Sequence, residues 1–179
     1  VSGRTRHVLI VSFTVAVLTL ASVIVFVAAT GFGRGPSLTE SYCQPRHPAT
    51  TKVQVTLNDG GGVMGGSLMM VSMSADSALL PAGRVTFVAS NFGRLNHELL
   101  ILPASIDGPG TRPVRVEGKI DESSSLGEAS RSCASGVGDG IAPGTSSWVT
   151  VNLAPGTYEL LCDLPWHYAS GMFTTITVR

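Results

Sequence analysis

Charge is scarce in this chain. Only 13% of its residues are Asp, Glu, Lys or Arg, and they cancel to a formal net charge of zero. Lysine occurs only as Lys52 and Lys119. No basic stripe exists to neutralise phosphates, which excludes nucleic acid as a partner. The glycine runs Gly60-Gly61-Gly62 and Gly65-Gly66 are followed by neither Lys-Ser nor Lys-Thr nor a helical pattern, so they do not make a phosphate loop. No internal repeat is present. Histidine is limited to His7, His47, His97 and His167, and cysteine to Cys43, Cys133 and Cys162.

One long stretch lacks charge altogether. Val8 to Ala29 runs apolar without a single charge and is preceded by Arg4 and Arg6, long enough to cross a bilayer core of roughly 30 Å. A secretory signal would have a shorter apolar region, of about 7–15 residues, and a small-residue cleavage site; Ala28-Ala29-Thr30 is a poor version of that site. The expectation is an uncleaved anchor over residues 1–30, with a cleaved signal and a secreted domain as the alternative. In both cases the arginines stay inside and everything after Gly31 lies outside the cytoplasm. Residues 31–50, rich in Gly, Pro and Ser, read as a tether. His47 within it and His7 beside the anchor read as solvated.

From Lys52 the pattern turns to short alternating apolar runs broken by Gly and Pro, the signal of an antiparallel β protein. Strands are expected over Lys52 to Leu57, Ser67 to Met73, Arg84 to Ser90, His97 to Leu102, Ser147 to Leu153, Thr157 to Cys162 and Met172 to Val178. Their length and spacing predict an all-β, two-sheet Greek-key sandwich over residues 51–179. Between Ile106 and Gly144 the pattern fails. Only Val114 to Val116 looks strand-like there, and the stretch allows a short helix from Glu122 to Ala129. Met64, Met69, Met70 and Met73 fit core packing better than a Cu(I) relay.

Cys162, His167 and Met172 stand at equal spacing in Cys-Asp-Leu-Pro-Trp-His-Tyr-Ala-Ser-Gly-Met, and His97 lies upstream in Arg-Leu-Asn-His-Glu. Each alone would pass as an ordinary core or strand-edge residue, and it is the combination that points to metal. A thiolate, two imidazoles and a thioether select copper, because a trigonal His₂Cys plane with a weak axial Met suits both oxidation states. Cys162 closes one strand, Met172 opens the next and His167 rides between them, so one hairpin supplies three donors. His97 begins a separate strand, expected on the second wall of the sandwich. If Cys162 is a metal thiolate, Cys43 and Cys133 remain to form a disulfide in an oxidising space, or else stay as two unpaired thiols.

With Asn91-x-Gly93-x-x-x-His97-Glu98 upstream of that hairpin, the chain resembles the cupredoxins, the small blue copper proteins, over Lys52 to Arg179. Pro-Gly-Thr-Tyr-Glu-Leu-Leu-Cys and His-Tyr-Ala-Ser-Gly-Met are most similar to the sulfocyanin-like, membrane-anchored branch. The resemblance implies one copper ion with His97, Cys162 and His167 equatorial and Met172 axial. Trp166 departs from the smaller residue that branch would have before the second histidine. It either joins Leu95, Leu164 and Pro165 in an apolar docking patch around His167 or packs inward over the metal.

The expected role is a one-electron carrier on the outer face of the cell membrane, with redox partners such as a cytochrome or terminal oxidase and no organic substrate. Copper storage or delivery is the alternative. An enzyme is not expected: there is no His-x-His pair for a trinuclear copper cluster, and no second cysteine in the ligand loop for a two-copper centre.

Overall fold

A computed structural model describes residues 43–60 and 70–179. The anchor, His7, Met64 and Met69 lie outside the described residues. Among the described residues there is no helix, and ten strands form two packed sheets.

In chain order the strands are β1 (Thr51–Asn58), β2 (Ser72–Ala75), β3 (Leu79–Leu80), β4 (Gly83–Asn91), β5 (Leu99–Pro103), β6 (Gly127–Arg131), β7 (Gly136–Gly140), β8 (Ser146–Leu153), β9 (Gly156–Leu161) and β10 (Phe173–Val178). The four-stranded sheet runs β2-β1-β4-β8 and the six-stranded sheet β3-β10-β9-β5-β6-β7. The pairing is not purely antiparallel as the alternation suggested. β1 pairs with β4, β10 with β3 and β6 with β7 in parallel.

Alternation decides which side chains meet between the sheets. Val53, Val55 and Leu57 of β1, Val85, Phe87 and Ala89 of β4, and Val151 and Leu153 of β8 face Leu99, Ile101, Leu160, Ile176 and Val178 of the other sheet in one apolar core. At about 25 cal/mol per Å² of apolar surface, this layer is the main stabilising term. Met73 belongs to it, whereas Met70 is exposed.

β4 is buried on both faces because residues 43–50 lie against the outside of its sheet. Ala49 N–H donates to Thr86 Oγ1 (2.7 Å), which also pairs with Thr150 Oγ1. Cys43 is disulfide-bonded to Cys133, so the pairing expected of these two thiols is the one found. His47 is exposed, as read.

The patternless stretch between Ile106 and Gly144 holds two strands that sequence periodicity did not show. The short helix over Glu122 to Ala129 does not form; its second half enters β6. The unpaired edge of β5 takes this segment instead: Leu126 N–H donates to Ile101 O (2.8 Å), and Ala129 pairs with Leu99. The serines 123–125 form a turn, with Ser123 N–H donating to the Asp121 carboxylate. Val114 to Val116 is not a strand. Val114 packs on a small outer cluster and Val116 is exposed.

The disulfide closes a sequence separation of 90 residues. In the chain-entropy picture such a crosslink stabilises mainly by restricting the unfolded state. Replacing both Cys43 and Cys133 by Ala is expected to lower the unfolding free energy by about 2–5 kcal/mol, measured by denaturant titration.

Candidate metal centre

The six-stranded sheet carries the candidate donors. Cys162 follows the last residue of β9 and Met172 precedes the first of β10. Cys162 N–H donates to Met172 O (3.1 Å) and Met172 N–H to His167 O (3.1 Å). Gly171, with φ of 93°, makes the turn that returns the chain to the sheet. His97 lies just ahead of β5, which neighbours β9 in the same sheet. The expectation that it would come from the second wall is therefore corrected. That wall's contribution is the loop leading to it.

His97 pairs backbone to backbone with Ile141, the two N–H···O contacts being 3.2 and 2.6 Å. Asn91, at the end of β4, donates through its side-chain amide to both Leu95 O and Ile141 O at 2.7 Å and accepts from Gly93 N–H at 2.8 Å. The Asp59 carboxylate accepts from Arg94 N–H and, at 2.8 Å, from Leu95 N–H. The Asn-x-Gly spacing thus serves to hang the His97 loop from the other sheet. Asp59 completes that anchorage and carried no signal in the sequence.

The donor atoms converge. His97 Nδ1 is 3.3 Å from His167 Nδ1, and Cys162 Sγ is 3.3 Å from the same nitrogen. All three donors lie within 4.8 Å of one another. Imidazole nitrogens bound to one metal at about 2.0–2.1 Å in a trigonal plane would be separated by roughly 3.5 Å, so the set has the right size for a single ion. Met172 is fully buried in the same core cluster as Cys162. The side chains of His97, Cys162 and Met172 have no exposure, whereas His167 keeps 6%. The four donors fit copper: soft sulfur and borderline nitrogen in a dry pocket.

Burial dominates the protonation of the metal-free site. It pushes the Cys162 thiol up to about 12, helped by the charge of Glu98. It lowers His97 to about 4, with His167 adding to the effect, and lowers His167 too. Neutral imidazoles offer a free lone pair to a metal. The thiol must lose its proton to bind one, and metal binding is coupled to that loss.

Each equatorial candidate is followed by a buried polar residue. Glu98 donates its backbone N–H to Cys162 Sγ (3.4 Å), and its carboxylate accepts from Asp163 N–H (2.8 Å). Asp163 Oδ1 accepts from Ile120 N–H (2.7 Å), while Oδ2 is buried with no hydrogen-bond partner among the described residues and lies 4.0 Å from Lys119 Nζ. Tyr168 donates to the Glu159 carboxylate (3.0 Å). Sequence reading missed Glu98, Asp163 and Glu159 as supports. Glu98 entered only as part of the upstream motif, Glu159 stands within β9 and Asp163 just beyond it, and no local pattern shows the partner that the fold brings to each.

Trp166 stands in the left-handed region, with φ of 71°, and is 54% exposed. Its N–H donates to Gly118 O (2.9 Å). The indole therefore takes the outward of its two expected orientations, lying on the 115–119 turn. Leu95 and Pro165 are also exposed; Leu164 is partly buried against the core.

Over residues 65–179 the sequence matches the sulfocyanin (SoxE) domain model. The chain belongs to the sulfocyanin family. That confirms the resemblance to the blue copper cupredoxins and, within them, to the sulfocyanin-like branch. Copper is the cofactor of this class, and the His97, Cys162, His167 and Met172 set of this sulfocyanin domain is consistent with a type 1 centre. No curated protein sequence matches significantly. Solved structures similar to it include dithionite-reduced auracyanin from Roseiflexus castenholzii, 21% identical over 74% of this chain and 99% of that one, with a TM-score of 0.46. Another is rusticyanin from Thiobacillus ferrooxidans, 20% identical over 73% and 79%, with a TM-score of 0.47.

The buried Glu98 carboxyl holds its proton up to about pH 7, desolvation being the main cause, against 4.5 when free. Its contribution to metal-free stability is therefore fully present below about pH 4.5 and lost as pH rises through 7. His97 acts in the opposite sense, its contribution being lost as pH falls from 6.5 through 4. Comparison with Glu98→Gln cancels the histidine. Between pH 4 and 8 the metal-free wild type is expected to lose roughly 3 kcal/mol relative to that variant, measured by denaturant unfolding across the pH range.

Proposed function

We propose that this protein is a mononuclear type 1 copper carrier that passes single electrons on the extracytoplasmic face of a membrane. His97, Cys162, His167 and Met172 would hold the ion. The single observation that carries the reading is the convergence of two imidazole nitrogens and one thiol sulfur at about hydrogen-bond separation in a dry pocket. Bound there, copper supplies a one-electron couple.

The residues do the rest by holding still. His97 is fixed by Ile141 and the Asn91 loop, and Cys162 by Glu98 N–H and the β9–β10 register, so the donor positions do not depend on metal to form. Small rearrangement between oxidation states favours rapid transfer. The Glu98 N–H directed at sulfur stabilises thiolate charge and thereby tunes the potential. His167 is the one histidine of the set with any solvent exposure, which supports an electron path through its ring edge. Exposed Trp166 and Pro165 beside it supply an apolar surface for a redox partner such as a cytochrome or terminal oxidase.

The apolar Val8 to Ala29 segment supports membrane attachment, and the Cys43–Cys133 disulfide supports an oxidising compartment. Storage or delivery of copper would call for a labile site, and the burial of three of the four donors to zero exposure argues against it.

Adding Cu(II) to residues 43–179 should produce an intense visible thiolate-to-copper band. Cys162→Ser should abolish it; no colour in the wild type, or colour surviving that change, contradicts the proposal. Met172→Leu should keep the band and raise the reduction potential, because losing the weak thioether donor destabilises the oxidised state.

A further inference from the structure

Residues 104–121 leave β5 and cross the outer face of the six-stranded sheet. They touch the metal-ligand hairpin at residue after residue, each next to a candidate donor. Ile120 N–H reaches Asp163, adjacent to Cys162. Gly118 O accepts from Trp166 N–H, immediately before His167. Arg112 N–H donates to the hydroxyl of Tyr168 (3.2 Å), immediately after His167. Gly110 lies against Phe173, immediately after Met172, so closely that an added Cβ would collide with the ring.

One buried carboxylate binds this arrangement together. Glu159 of β9 has no exposure. Its Oε1 accepts from Gly110 N–H (2.8 Å) and Tyr168 hydroxyl (3.0 Å), and its Oε2 from Arg112 Nε (2.7 Å). Arg112 also donates to Pro103 O. The Tyr168 hydroxyl is thereby both donor and acceptor. Its ring packs at a tilt on Phe173 with centroids 5.4 Å apart, within an apolar cluster of Leu100, Leu102, Ile120 and Leu161. A buried charge held by three donors is expensive to form incorrectly, and it tolerates few alternative geometries.

We infer that the 104–121 excursion is an external splint for the metal-ligand hairpin, and that Glu159 and Tyr168 are positioning residues. Through Arg112 and Gly110 they fix where His167 and Met172 stand relative to Cys162, without contacting the metal. The inference rests on the copper reading for its consequence in the loaded protein, but not for its mechanical content.

The test therefore has a metal-free arm. With the Cys43–Cys133 disulfide intact, Cys162 is the one free thiol among the described residues and is fully buried. In the metal-free full chain under native conditions, Tyr168→Phe and Glu159→Gln are expected to speed labelling of Cys162 by a small maleimide about tenfold. Arg115→Gln, which alters only a surface pair of the same excursion at 3.7 Å from Asp121, should leave it unchanged. In the copper-loaded chain the two positioning variants should shift the thiolate band and speed copper loss to a chelator by about 10–100-fold, the range found for partners that orient metal ligands.

Tyr168→Phe removes one oxygen and guards against a folding failure in Glu159→Gln. Equal labelling rates in wild type and Tyr168→Phe, with only a lowered melting temperature, would overturn the splint and leave these residues as ordinary core. Failure of the wild type to take up copper would instead count against the copper reading, and the labelling arm would still decide the splint.

Discussion

The constraint on which the centre depends is the stitch between Glu98 and the turn after Cys162. Glu98 N–H points at Cys162 Sγ while its carboxylate accepts from Asp163 N–H. His97 and Cys162, 65 positions apart in the sequence, are thereby held as neighbours by groups that are not donors themselves. Hydrogen bonds in a water-poor interior are stronger than their surface counterparts. Removing one partner there would leave a buried group unpaired, which costs more than the bond itself contributes. Two loops entering from different parts of the fold are thus fixed to within hydrogen-bond tolerances.

Around that stitch the fold divides its labour. The four-stranded sheet supplies half of the core and, through Asn91 and the Asp59 loop, the suspension of His97. The six-stranded sheet carries every candidate donor on or beside β5, β9 and β10. The 104–121 excursion covers the outer face of this second sheet and braces the same hairpin from behind. Donors are therefore held on the core side by apolar packing and on the outer side by a polar network centred on Glu159. A site built this way is dry and preorganised, the two properties that small rearrangement on electron transfer requires.

Much of this was legible in the sequence, for identifiable reasons. A strand such as β1 alternates cleanly because one face meets a continuous core. Cys162, His167 and Met172 stand out because soft donors at such spacing on one hairpin are suited to a metal and to little else. β6 and β7 were not legible. Gly-Glu-Ala-Ser-Arg pairs on the edge of β5 and Gly-Val-Gly-Asp-Gly on β6, both through backbone bonds and with little apolar periodicity. The sheet membership of His97 was misjudged because a strand's neighbours are set by long-range pairing that no local pattern records. Glu98, Asp163 and Glu159 escaped for the same reason: an acidic residue looks solvated until the fold brings it a partner.

Two histidine nitrogens and one cysteine sulfur, already in place, form a donor set that would hold a single copper ion. X-ray absorption at the copper edge of the loaded protein, in both oxidation states, tests this most directly. One short thiolate sulfur and two imidazole nitrogens are expected, with nearly the same shell before and after reduction. A tetragonal shell of nitrogen and oxygen without a short sulfur, or a shell that changes its ligands on reduction, would contradict it.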